Sequence, residues 1–262
     1  MEKIIVTLLI ILSTLITYSQ KDSIAIKNNS HIKAFNQANQ SGDIVSCIIA
    51  LNYYMAEQGI NTPYADTLAM LYMQQGAFPQ SYYWVTKRLQ TNPDDNTLLE
   101  MKGVCLDKMR RSKEELSEAV TIFEKLFNKT QKPEHAYQLI EMQYGLGRYA
   151  ECILTASNAE RLQYKPENTM TYRYTVGNGS ERIARTPLLA AIYNLHGMAL
   201  YQLDKSNKTE AKIYFQKAVA LDSNFVLALQ NITAIESLDK VNSKVNLKNP
   251  KNQVSPGNKN KN

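Results

Sequence analysis

Apolar residues recur three and four positions apart over most of the sequence, as in "DIVSCIIALNYYMAE" and "LLAAIYNLHGMALYQL". That spacing lines one face of an α-helix. One stretch breaks the rule: "TYRYTVGNGSERIAR", residues 171–185, alternates polar and apolar side chains around a Gly-Asn-Gly-Ser turn, which predicts a β-hairpin. Tyr172, Tyr174 and Val176 fall on one face of its first strand, and Arg173 and Thr175 on the other. A lone two-stranded hairpin is marginal in water, so it is expected to lean on its surroundings through the tyrosines and leave Arg173, Arg182 and Arg185 more exposed.

The helical remainder repeats. "SGDIVSCIIAL" from Ser41, "QGAFPQSYYWV" from Gln75 and "LGRYAECILTA" from Leu146 share a Gly, an apolar residue two positions on and a small residue three further. Gly42 to Gly76, Ile44 to Phe78 and Cys47 to Ser81 are each separated by 34 residues. The small position returns at Ala119 after 38 residues, at Cys152 after 33, and at Ala211 after 59, which is 25 more than one period. The excess places an insertion, residues 164–186, between a helix ending near Gln163 and one starting near Pro187, and the hairpin lies inside it.

A 34-residue period of paired helices resembles the tetratricopeptide repeat family. In the second repeat Leu68, Ala69, Tyr72, Gly76, Phe78, Ser81, Val85 and Pro93 match the family pattern, and in the last Tyr193, Gly197, Ala211, Phe215 and Ala218 do. Leu99, Gly103, Ala119 and Phe123 carry it through the third, and Leu139, Gly147, Tyr149 and Cys152 through the fourth. The resemblance covers residues 31–238; the third repeat has about four extra residues near "RRSKEEL" and the fifth about two near "KSNK". It implies an all-α fold, an α-solenoid of about five helix pairs with the β-hairpin inserted. A small residue is needed wherever two antiparallel helices approach closely, which assigns Cys47 and Cys152 the same packing role as Ser81 and Ala119.

In that family the concave groove is lined by the first helix of each pair, and the rule maps here to Asp66, Met70 and Met73, then Glu100, Val104 and Asp107, then Tyr137, Glu141 and Tyr144, and last Asn194, Met198 and Tyr201. This lining is acidic and aromatic with flexible methionines. Family members that clamp a partner's C-terminal carboxylate use Lys and Asn where this chain has Asp66 and Met70, so no carboxylate clamp is expected. The charge favours an extended peptide with basic and apolar side chains.

Composition adds the compartment. Lys3 is followed by an apolar run from Ile4 to Thr17, too short to span a membrane comfortably and suited to the core of a secretory signal. Thr17 and Ser19 set up cleavage before Gln20, so residues 1–19 are read as a signal peptide and 20–30 as a linker. The three cysteines are far apart with no CxxC pair, which gives neither a zinc site nor a disulfide framework. No HExxH, GxSxG or Walker loop is present, and the three histidines are scattered; no enzymatic activity, metal or cofactor is expected.

Residues 239–262 carry six Lys against one Asp, are rich in Asn and are read as a disordered tail. The tail supplies +5 of the formal net charge of +6, so the basic balance does not argue for nucleic acid. The expected function is a non-enzymatic protein–protein interaction scaffold of the bacterial periplasm or envelope, with secretion the nearest variant and no integral membrane segment once the signal is cleaved. The alternative is an envelope-tethering protein that contacts anionic envelope components weakly through the tail or hairpin.

Overall fold

The structure is a computed structural model that describes residues 29–177 and 179–248. The signal-peptide reading, most of the linker and residues 249–262 of the tail lie outside the described residues. Five helix pairs follow one another: α1 (Ser30–Gln40) with α2 (Ile44–Gln58), α3 (Tyr64–Gln74) with α4 (Phe78–Leu89), α5 (Asn96–Met109) with α6 (Lys113–Thr130), α7 (Pro133–Gly145) with α8 (Tyr149–Ala159), and α9 (Leu188–Leu203) with α10 (Lys208–Leu221). A further helix, α11 (Val226–Lys248), closes the stack. Strands β1 (Thr169–Thr175) and β2 (Glu181–Pro187) form the hairpin between α8 and α9.

Turn chemistry sets the register within each pair. Gly42, Gly76 and Gly147 sit between the two helices at φ of 72°, 72° and 74°, a conformation that costs a side chain heavily. The extra residues of the third and fifth pairs are absorbed in the same joint: Arg110 takes a left-handed φ of 44° before Ser112 caps α6, and Lys205–Asn207 form a single 3-10 turn. Pro133 opens α7 at its first position, where the missing N–H has no intrahelical acceptor to lose. Helix α8 stops at Ala159, short of the expected Gln163, because the Tyr164 hydroxyl donates to the Ala159 carbonyl at 2.8 Å and turns the chain toward the hairpin.

The small-residue positions are where the helices of a pair meet. Cys47 is 1% exposed, and Ser81, Ala119, Cys152 and Ala211 are fully buried. A Cβ on Gly197 would stand 2.8 Å from the Ala211 carbonyl oxygen and 2.7 Å from the Phe215 ring, and one on Gly103 would stand 2.6 Å from Phe123. Where the first helix brings a bulky residue to this contact, the partner is a cysteine whose thiol points at that residue's carbonyl: Cys47 to Phe35 at 3.8 Å and Cys152 to Ile140 at 3.6 Å. Burial pushes the Cys152 thiol up to about 12 and Cys105 to about 11, so both stay protonated and inert at physiological pH.

Pairs stack by inserting the second helix of one against the first helix of the next, α4 on α5 and α8 on α9 among them. First helices also touch one another, α3 on α5, α7 on α9 and α9 on α11, whereas no two second helices make a comparable contact among the described residues. The first-helix row is therefore the inner, tighter side of a curved solenoid. The last helix runs to Lys248, past the boundary at residue 238 where the tail reading begins. Residues 239–248 contain no Gly or Pro, and the first obstacle to a helix is Pro250, which disfavours helical geometry at the residue before it.

Replacing Gly197 with Ala is expected to cost about 1–3 kcal/mol, because the Ala211 backbone cannot retreat. Gly145→Ala, at a helical glycine with nothing within 4 Å, is the matched control and should be neutral or gain up to about 1 kcal/mol; urea unfolding of the two variants checks both.

Candidate functional site

The tyrosine face of the hairpin turns inward and builds a wall. Seven residue pairs zip β1 to β2, with Tyr172 opposite Ala184 and Met170 opposite Thr186. Tyr172 is 2% exposed; its ring meets Phe225 edge-on at 5.1 Å, and its hydroxyl accepts from the Val226 N–H at 3.2 Å and donates to the Asn224 carbonyl at 3.4 Å. These atoms belong to the entry of α11, so the hairpin is pinned to the end of the solenoid across more than fifty residues of sequence. Arg173, Arg182 and Arg185 remain exposed, as expected.

Between this wall and the inner row lies a shallow pocket of about 240 Å³. Tyr137 and Glu141 enter it from α7, and Ala191, Asn194, Leu195 and Met198 from α9. The hairpin supplies Met170, Tyr172 and Arg173, and the start of α11 supplies Phe225 and Leu227. The Tyr137 hydroxyl donates to Glu141 across a long 3.5 Å contact; burial first, and the Glu141 charge second, push that phenol well above its usual range, so it remains a donor. Asn194 is held by Asn231 of α11, whose Nδ2 donates to the Asn194 Oδ1 at 2.9 Å.

The two pairs that frame the pocket are locked together by a second cluster. His196 of α9 is 2% exposed, bonds Glu160 at the end of α8 through Nδ1 at 2.6 Å, and stacks on Tyr214 of α10 at 3.8 Å. Lys217 closes the cluster, with its ammonium 4.2 Å from the Tyr214 ring centre and 4.0 Å from Glu160. Burial outweighs Glu160 and lowers the His196 pKa.

The residues mapped to the groove divide into two groups. Tyr137, Glu141, Asn194 and Met198 converge on the pocket. The others are engaged elsewhere. Met70 and Met73 are buried and pack with Leu98, Met101 and Cys105 in the seam between α3 and α5. Asp66 is forked by Arg88 of α4 at 2.7 and 3.3 Å. Asp107 is buried and paired with Lys108 and Arg110 at 2.9 and 2.8 Å, while Glu100 reaches the buried His135 at 3.4 Å. Val104 packs into the same seams; Tyr144 rests on Tyr149 at 5.5 Å, and Tyr201 lies under the Lys205 ammonium at 3.9 Å. His135 is buried and bonded to Thr130 at 2.7 Å.

Sequence periodicity could not reach the rest of the lining. Met170 shares the Tyr172 face by simple alternation and was within reach of the hairpin pattern, but Phe225 and Leu227 occupy a joint that no repeat position marks. Among the described residues no group of three or more His, Cys, Asp or Glu is placed to hold a metal, and no helix is long and apolar enough to cross a membrane.

No protein-family model matches the sequence, and no curated protein does either. Solved structures are similar in fold. The crystal structure of the MamA protein superposes with a TM-score of 0.56 at 14% identity, covering 74% of this chain and 90% of that one. YrrB, described as a TPR protein with an unusual peptide-binding site, gives 0.58 at 14% identity over 80% and 97%. A tetratricopeptide repeat protein from Parabacteroides merdae gives 0.59 at 14% identity over 82% and 74%. The fold is that of a tetratricopeptide solenoid, with the inserted hairpin as a local departure.

Tyr172→Phe removes a buried hydroxyl that serves two backbone groups and is expected to cost about 1–2 kcal/mol, read by denaturant unfolding. For His196 the folded-state pKa lies below the unfolded value of about 6.5. Its contribution is therefore complete above pH about 6.5 and is lost as pH falls through that value toward the depressed one. Melting temperature is expected to drop from pH 7 to pH 5, and His196→Gln should flatten that slope.

Proposed function

We propose that the chain is a non-catalytic interaction scaffold that holds an extended segment of a partner protein against the inner face of its last two helix pairs. The observation that carries this reading is the pocket itself, where two inner helices, the hairpin and the entry of α11 leave apolar surface and one carboxylate facing open space. The three histidines support it, since each is tied to a glutamate that joins neighbouring helices: His31 to Glu57, His135 to Glu100 and His196 to Glu160. YrrB, similar in fold, is described as having a peptide-binding site, which agrees with this use of the architecture.

The place of action proposed is the bacterial periplasm or envelope. The apolar run Ile4–Thr17 after Lys3, with small residues at Thr17 and Ser19, supports export, and Gln20 is then the first residue of the mature chain.

A photo-crosslinking residue placed at Met198 in the pocket is expected to trap a partner in the native cell, whereas one at Leu154, 64% exposed on the second helix of its pair, should not. Adducts only at Leu154, or at neither position, would sink the scaffold reading. N-terminal sequencing of the envelope fraction checks the compartment, with Gln20 the expected first residue.

A further inference from the structure

We propose that the hairpin-walled pocket seats one apolar side chain of the bound segment while Glu141 holds a lysine or arginine beside it in the same segment. This rests on the peptide-binding reading above and narrows it to one place and one chemistry.

The pocket's size points to a side chain. About 240 Å³ lies below the roughly 300–1,000 Å³ of typical small-molecule sites and is room for one large residue of a passing chain. Its apolar surface comes from Met170, Leu195, Met198, Phe225 and Leu227, and the two methionines can adapt to different occupants.

Charge fixes the neighbour. Of the glutamates on the inner helices of the third and fourth pairs, Glu100 already faces His135 and Glu134 accepts from the Asn168 side chain, but Glu141 has no ion-pair partner among the described residues. Its one hydrogen bond, from Tyr137, comes from a neutral donor that leaves the negative charge uncompensated. The cation at the mouth, Arg173, is countered across the hairpin by Glu181 at 3.5 Å. What remains unmet is a single carboxylate at the edge of an apolar hole, and the complementary group is a basic residue adjacent to an apolar one. The site exists only because of the insertion: β1 supplies one wall, and by pinning Asn224 and Val226 it sets Phe225 in another.

Fluorescent octapeptides with a Gly-Ser frame and every pairwise combination of two central residues, titrated against the full chain by anisotropy, test this directly. Leu, Met or Phe next to Lys or Arg should bind best, and exchanging the basic residue for Glu should weaken binding about tenfold or more. Glu141→Gln should remove that basic preference without moving the melting temperature. Met198→Lys, a change at a half-buried position, should abolish binding of the basic peptides. Peptides that bind equally well to wild type, Glu141→Gln and Met198→Lys would overturn the pocket assignment while leaving a peptide scaffold standing. Absence of binding by any peptide, with Met198 crosslinks still formed in cells, would overturn the apolar-plus-basic recognition alone. Failure of both would remove the scaffold reading as well.

Discussion

Each helix pair is built around a backbone approach so close that one side chain of the contact has to be small. At Gly197 the blocking atom is backbone, since an added Cβ would stand 2.8 Å from the Ala211 carbonyl oxygen. A pair closed in this way buries only part of its apolar surface, and the remainder is covered when the next pair stacks on it. Met70 and Met73 illustrate the consequence, since they lie on an inner helix yet are buried by α5. Curvature follows from the same stacking, because among the described residues the inner helices contact their own kind more closely than the outer ones do.

The inner face is not uniform along its length. In the second and third pairs the carboxylates predicted to face a ligand are consumed within the solenoid, Asp66 by Arg88 and Asp107 by Lys108 and Arg110. At these two positions the carboxylate is already matched by the chain's own cations. In the fourth and fifth pairs the balance differs. Glu141 has no ion-pair partner among the described residues, Asn194 is held in place by Asn231, and the hairpin adds apolar wall where a regular solenoid would be open. The proposed recognition site therefore lies at the C-terminal end, where the repeat period is broken.

The hairpin is stable there because it borrows what two strands alone lack. Tyr172 reaches Phe225 and two backbone groups at the entry of α11, and the Glu160–His196–Tyr214–Lys217 cluster holds the flanking pairs at a fixed spacing. The wall and the inner row are therefore parts of one packed end. The pocket between them is lined by residues of both.

Much of this was legible in the residues. A helical period with a recurring Gly-apolar-small signature identified the pairs, the turns and the buried slots at Cys47, Ser81, Ala119, Cys152 and Ala211, because local turn geometry and close helix contact each demand a particular residue type. Alternation likewise predicted the hairpin and its inward tyrosines. Whether an inner-helix side chain meets solvent or a neighbouring repeat was decided only by the tertiary structure. Met70 and Met198 occupy comparable positions in their repeats, yet one is sealed by α5 and the other opens onto a pocket. The fate of Asp66 turned on Arg88, twenty-two residues away, and the hairpin's docking point on Phe225, more than fifty away. A repeat pattern specifies what each pair needs in order to close; what its inner surface is then free to do depends on contacts between distant segments, which no local period encodes.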